Sequence, residues 1–231
     1  ISIEDRGFLF ADSIYELIGV FNKNLVDKNQ HLLRLQKSLK KIKINLKINK
    51  QKFNKIFTKL IKLNNVINGY VYIQITRGVA ERRHEFPKKY KPTVIIFTKD
   101  IKIDKKLYEN GVKIISIPDL RWSRRDIKTT GLLPNVLSKQ LALEKNAFES
   151  WFIDNGNITE GAASNAWIIK GSNLILTHPA NKKILKGVTR DTVIRILKKN
   201  NFQVKEKPFN LIEAKNAKEA FLTSSTLSVL P

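Results

Sequence analysis

The sequence predicts a mixed α/β fold arranged in two blocks, and three observations carry that prediction. Apolar residues recur at helical spacing in some stretches and run together as β-branched strings in others. The two patterns alternate along the chain instead of segregating. A Lys- and Asp-rich stretch, Lys99 to Lys106, interrupts the order, and a second alternating series follows it.

From the N-terminus, Phe8 to Asn24 reads as helix or strand leading into a tight turn at Asn22-Lys23-Asn24. Leu32, Leu35, Leu39 and Ile42 recur at spacings of three and four, one face of a helix, and Phe53, Ile56, Phe57, Leu60 and Ile61 repeat that signature. Val71 to Thr76 and Thr93 to Phe97 are β-rich runs. These elements predict a smaller first domain over 1–100, a linker at 101–106 and a larger domain over 107–231. In the second block Val112 to Ile117 opens as a strand, and Pro134 marks a helix start before the good helix formers Val136 to Asn146. Asp154-Asn155-Gly156 predicts a hairpin turn, Gly171-Ser172 another, and Gly187 a turn into a helix whose Val193, Ile196 and Leu197 share a face. Phe221-Leu222-Thr223 reads as the final strand.

Composition bounds the function. With 231 residues and 42% apolar content, the chain can bury a substantial core, which excludes a disordered or fibrous class. No apolar run approaches the ~18 residues of a membrane span, so no membrane partner is expected. The absence of cysteine removes thiolate nucleophiles, disulfides and cysteine metal sites together. No metal site is expected, and a reducing cytoplasm fits. The net charge of +23 admits a nucleic-acid binder. However, 33 of the 43 basic residues are Lys, scattered singly and in pairs, whereas such a module needs clustered Arg and exposed aromatics. The charge is therefore read as a solvated surface, with no nucleic-acid partner.

From residues alone the chemistry stays open. Lys128, in Arg124-Arg125-Asp126-Ile127-Lys128, lies between a strand-like block and a helix. It is either one more surface lysine or an interior amine whose basicity two neighbouring Arg depress, as imine chemistry requires. Gly187-Val188-Thr189-Arg190 at a helix start offers free N–H groups to an anion, or is an ordinary turn. Ser224-Ser225-Thr226 offers donors of the same kind, and Glu160 is either a functional or a surface carboxylate.

A series of blocks in order narrows these alternatives. Asp5-Arg6-Gly7-Phe8, Tyr15-Glu16, His31-Leu32-Leu33-Arg34-Leu35, Thr76-Arg77-Gly78, Asp126-Ile127-Lys128, Leu132 to Asn135, Thr159-Glu160-Gly161, Ser164-Asn165 and Lys186 to Arg190 together resemble the class IV aminotransferases, the fold type IV pyridoxal-phosphate enzymes. The resemblance runs from residue 1 to 231. It implies two α/β domains with pyridoxal 5′-phosphate in the cleft between them, a first strand before Ile1 and further structure after Pro231. Arg82-Arg83-His84 resembles the carboxylate-binding element of the D-amino-acid branch of the family. Branched-chain aminotransferases and aminodeoxychorismate lyases, the alternatives, typically lack it.

Carried over by position, the resemblance implies that Lys128 forms the internal aldimine and shuttles the proton, and that Glu160 pairs with the pyridine nitrogen. Arg34 would hold the phosphate as a bidentate donor, with the amides of Val188, Thr189 and Ser225. Tyr15, Arg82 and His84 would hold the substrate carboxylate, the last two from the partner chain of a homodimer. The implied reaction is transamination between D-amino acids such as D-alanine and 2-oxo acids such as 2-oxoglutarate. Ala162-Ala163 depart from the family, which often has hydroxyl residues there, and Arg83 is an unusual extra cation.

Overall fold

The computed structural model describes residues 1–231. The chain folds as two compact units, Ile1–Ile103 with Ile127–Gly131, and Asp104–Asp126 with Leu132–Pro231. No helix is long and apolar enough to cross a membrane.

The first unit contains α1 (Arg6–Phe10), β1 (Ser13–Phe21), β2 (Asn24–Leu25), α2 (Lys28–Lys41), α3 (Lys50–Leu63), β3 (Gly69–Thr76) and β4 (Val94–Asp100). Its antiparallel sheet runs β2-β1-β3-β4. Alternation on β1 and β3 turns Ile14, Ile18, Val71, Ile73 and Ile75 inward against Leu32, Leu35 and Leu39 of α2 and Phe53, Phe57 and Ile61 of α3. The turn between β1 and β2 puts Asn22 at φ 47° and Lys23 at φ 64°, the left-handed pair a two-residue hairpin loop requires.

The second unit adds α4 (Lys105–Asn110), β5 (Ile114–Pro118), α5 (Leu133–Glu144), β6 (Glu149–Asp154), β7 (Asn157–Gly161), β8 (Asn165–Lys170), β9 (Leu174–Thr177), α6 (Val188–Lys199), β10 (Gln203–Glu206), β11 (Phe209–Asn210), α7 (Leu211–Lys215), β12 (Glu219–Ser224) and β13 (Ser228–Leu230). They form two sheets, β10-β9-β8-β12-β13 and β11-β7-β6-β5. β8 is buried on both faces. Ala166 and Ile168 join Trp151, Ile158, Phe209 and Leu222 in one core, while Trp167 faces Val193 and Ile194 of α6 in another.

Three expectations change. The break falls at 103/104, because Ile101 still donates to the Asn68 carbonyl whereas Asp104 caps α4 through the Lys106 amide. Residues 127–131, expected in the second block, belong to the first unit. β2 covers only Val20 and Phe21 of β1, and the open N-terminal edge of β1 is filled by this segment. Thr129 bridges Ile14, Tyr15 N–H donates to the Lys128 carbonyl at 2.9 Å, and the Ser13 and Thr130 hydroxyls bond. Finally, β12 is followed by β13, so it is not the last strand.

Candidate active site

The return of 127–131 to β1 sets Lys128 beside Tyr15. Its Nζ lies 4.2 Å from the centre of the Tyr15 ring, which stacks on Tyr72 at 5.6 Å, and Tyr72 in turn on Phe97 at 4.8 Å. The arginines expected to depress Lys128 are already neutralised. Arg124 pairs with Asp126, and Arg125 pairs with Asp119 and Asp154.

Alternation sends the next side chain, Glu16, to the opposite face of β1, where it is fully buried under α2. Arg34 Nε and Nη2 grip its two oxygens at 2.7 and 2.9 Å, and His31 Nδ1 lies 2.7 Å away. Burial alone would raise the Glu16 carboxyl, but Arg34 and then His31 outweigh it and bring it down to about 2. An ionised carboxylate only accepts, so Nδ1 carries the hydrogen. Arg34 therefore spends one edge of its guanidinium on Glu16, which fixes the plane of the other edge.

Arg82 and His84 lie in an irregular segment and not in the extended strand that their spacing suggests. The alternation holds nonetheless. The Arg82 guanidinium and the His84 ring lie 5.3 and 5.4 Å from the same Phe10 ring, while Arg83 turns out to solvent and pairs with Glu81. Two buried arginines hold this loop. Arg6 donates to the carbonyls of Arg83 at 2.5 Å and His84 at 3.4 Å. Arg77 lies 3.6 Å from the centre of the Phe86 ring. Asp12 accepts from both, at 2.9 Å from Arg6 and 2.7 Å from Arg77.

The second unit gathers Glu160, Val188, Thr189 and Ser225. Glu160, the penultimate residue of β7, is 3% exposed and accepts from Arg121 Nη1 at 2.6 Å, Asn165 Nδ2 at 3.0 Å and Leu185 N–H. Burial pushes its carboxyl up, against the pull of Arg121. Asn165 also donates to the Leu185 carbonyl, which ties Glu160 to the approach of α6. A Cβ on Gly187 would stand 2.1 Å from Asn165 Oδ1, so only glycine leaves room for Asn165 there. Gly187 caps α6 without a side-chain acceptor, so no cap side chain takes the Val188 and Thr189 amides, the kind of helix start that suits an anion. Trp167 Nε1 donates to Thr223 near the end of β12, and Arg190 in the first turn of α6 lies 5.9 Å from the Trp167 ring. Trp167 thus links Thr223, two residues before Ser225, to Arg190 of α6.

At Ala162-Ala163 the main chain is held by hydrogen bonds. Ala163 N–H donates to Glu149, and Asn135 Nδ2 donates to the Ala162 carbonyl. Sequence reasoning missed Glu16 and His31 as partners of Arg34, and Arg121 as partner of Glu160. The Glu16-x(14)-His31-x-x-Arg34 spacing carried the only usable signal, one helical face for His31 and Arg34.

A primary amine beside an aromatic ring, a buried carboxylate and an amide-lined helix start are the chemical set pyridoxal phosphate needs for its carbonyl, ring nitrogen and phosphate. The residues fit the group. The model of the amino-transferase class IV family matches residues 13–231. The chain belongs to the class IV aminotransferases, which are pyridoxal-phosphate enzymes. It is 39% identical over 231 residues to a D-alanine aminotransferase of Bacillus licheniformis, covering 100% of this chain and 81% of that protein. A D-alanine aminotransferase of Staphylococcus aureus (strain N315) is 38% identical over 232 residues, covering 100% and 82%. Among solved structures, the branched-chain amino acid aminotransferase from Escherichia coli superposes with a TM-score of 0.88 at 22% identity, covering 100% of this chain and 79% of that one. A putative 4-amino-4-deoxychorismate lyase from Legionella pneumophila gives 0.87 at 22%, covering 100% and 85%. At that identity they share the fold type IV architecture.

Proposed function

We propose that this enzyme is a homodimeric D-amino-acid transaminase that moves the amino group of a D-amino acid such as D-alanine to 2-oxoglutarate, giving pyruvate and D-glutamate. The observation that carries this reading is the pairing of Arg82 and His84 on one Phe10 ring, with Arg83 turned away. Two cationic or donor side chains on one side match a substrate carboxylate, and the full-length relatives named D-alanine aminotransferase support it.

In this reading Arg82, His84 and Tyr15 fix the carboxylate, and that fixes which face of Cα meets the base. Lys128 Nζ would hold the cofactor through its carbonyl carbon and, once the substrate amine has displaced it, would take the Cα proton and return it. Glu160 holds the ring nitrogen protonated. Arg34 and the amides of Val188, Thr189 and Ser225 hold the phosphate. Bound pyridoxal phosphate supplies the electron-withdrawing ring that makes the Cα proton removable. The dimer is supported by α5, which exposes Leu133, Val136, Leu137 and Leu143 at 59–68% along one side, an apolar stripe suited to a second copy.

A substrate panel on the loaded enzyme tests this. D-alanine with 2-oxoglutarate is expected to give pyruvate and D-glutamate in equal amounts. Faster transfer from L-leucine or L-valine, or release of pyruvate from aminodeoxychorismate, would overturn it in favour of the branched-chain or lyase activities.

A further inference from the structure

The carboxylate assigned to the ring nitrogen stands at the end of a buried ladder of alternating charge. Arg125 Nη1 reaches Asp154 at 3.0 Å and Asp119 at 3.3 Å. Asp119, fully buried, takes Arg121 Nε on one oxygen at 2.9 Å and Nη2 on the other at 2.8 Å, and also accepts the Thr159 hydroxyl at 3.0 Å. Arg121 then gives its remaining nitrogen, Nη1, to Glu160 Oε1 at 2.6 Å. Its guanidinium lies 4.1 Å from the centre of the Phe152 ring. A planar fork gripped on one edge by a carboxylate and backed by an aromatic ring has no freedom to swing.

The two oxygens of Glu160 are consequently unlike. Oε1 faces the guanidinium and also receives the shared Leu185 N–H at 3.1 Å, whereas Oε2 accepts only from the neutral donors Asn165 Nδ2 and Leu185 N–H, each at 3.0 Å. A second buried carboxylate nearby, Glu149, lies under Gly161 on the other face of β7, where Lys139 is 3.6 Å away. Arg121 is thus the cation facing Glu160, and Asp119 is the opposing charge behind it.

We infer that Arg121, anchored by Asp119, is a positioning residue that holds Glu160 through Oε1 and favours the carboxylate form of the side chain assigned to the protonated ring nitrogen. The inference rests on the proposed role of Glu160. Without Arg121 only the neutral donors Leu185 N–H and Asn165 Nδ2 oppose the burial of Glu160, and the side chain takes up a proton more readily as pH falls. A neutral carboxylic acid cannot stabilise a pyridinium.

Arg121→Gln, Arg121→Lys, Glu160→Gln and the double variant Arg121→Gln/Glu160→Gln separate the outcomes. In Arg121→Gln, kcat for D-alanine relative to the parent is expected to fall as pH drops from 9 to 6, by roughly tenfold per unit through which the Glu160 acidity moves. Arg121→Lys, which restores a cation but not the fork, is expected to return the parental pH profile at lower amplitude. The cofactor-free protein supplies an independent reading. Glu160 then ionises only at a cost, so the denaturant midpoint of Arg121→Gln should decline between pH 5 and 8. Adding Glu160→Gln should abolish that decline, and should restore folding if the single variant fails to fold. A rate loss parallel at every pH, equal in the Gln and Lys variants, and a midpoint slope that Glu160→Gln leaves unchanged would overturn the inference. Parental turnover and visible absorption in Glu160→Gln alone would instead overturn the role of Glu160, while the cofactor-free comparison still reads its coupling to Arg121.

Discussion

Arg82, Arg83 and His84 are adjacent in sequence and opposite in circumstance. Arg82 and His84 share the Phe10 ring, while Arg83 is 69% exposed beside Glu81. An arginine–carboxylate contact is worth about 1.5–3 kcal/mol. Arg82→Ala should therefore lower kcat/KM for D-alanine by roughly one to two decades and blur the D-over-L preference. Arg83→Ala should change either by less than about twofold, since exposed pairs contribute little. Steady-state kinetics on both enantiomers checks this, and equal losses in the two variants would dissolve the distinction. The spacing of Arg82 and His84 was visible in the sequence, but the irregular backbone that carries them was not. Arg6 and Asp12 were not, because Arg6 reaches across 77 residues to the Arg83 carbonyl and no local pattern announces it. Arg121 escaped for the same reason, as Glu160 lies 39 residues on.

At the scale of elements, β1 and α2 are joined by apolar packing and by one buried charge cluster. The stripe Leu32, Leu35, Leu39 read as a helix face and packs as one. Glu16 sits among those contacts because it follows Ile14 and precedes Ile18 on the inward face of β1. Its folded-state carboxyl titrates near about 2, below the ordinary 4.5, so the stability it contributes is fully present above pH 4.5 and is lost as pH falls towards 2. The difference amounts to about 3 kcal/mol. Urea unfolding of the parent against Glu16→Gln should show a gap that closes over that range, and a constant gap would contradict the ion pairing with Arg34. What sequence could not supply at this scale are the shortest and least local pieces. β10, β11 and β13 span 4, 2 and 3 residues, too few to establish a period. Thr129 joins β1 only by filling an edge that β2 leaves open, a pairing decided in three dimensions.

For the whole molecule, the proposed homodimer makes a genetic prediction. Where Arg82 and His84 serve the neighbour, co-expressing Lys128→Ala and Arg82→Ala chains puts both lesions in one site of each mixed dimer and leaves the other intact. Activity should partly return. Verified heterodimers without recovery would assign each carboxylate trap to its own chain. Residues 127–131, which the two-block reading put in the second block, group with the first unit and carry the lysine itself. That lysine is the most direct point of attack. The chain has 33 lysines, of which one is assigned to the cofactor carbonyl. Loading the protein with pyridoxal phosphate, reducing it with borohydride and mapping the peptides is expected to place one label per chain on Lys128. Label on another lysine, or label spread across the surface lysines, would contradict the assignment of this site.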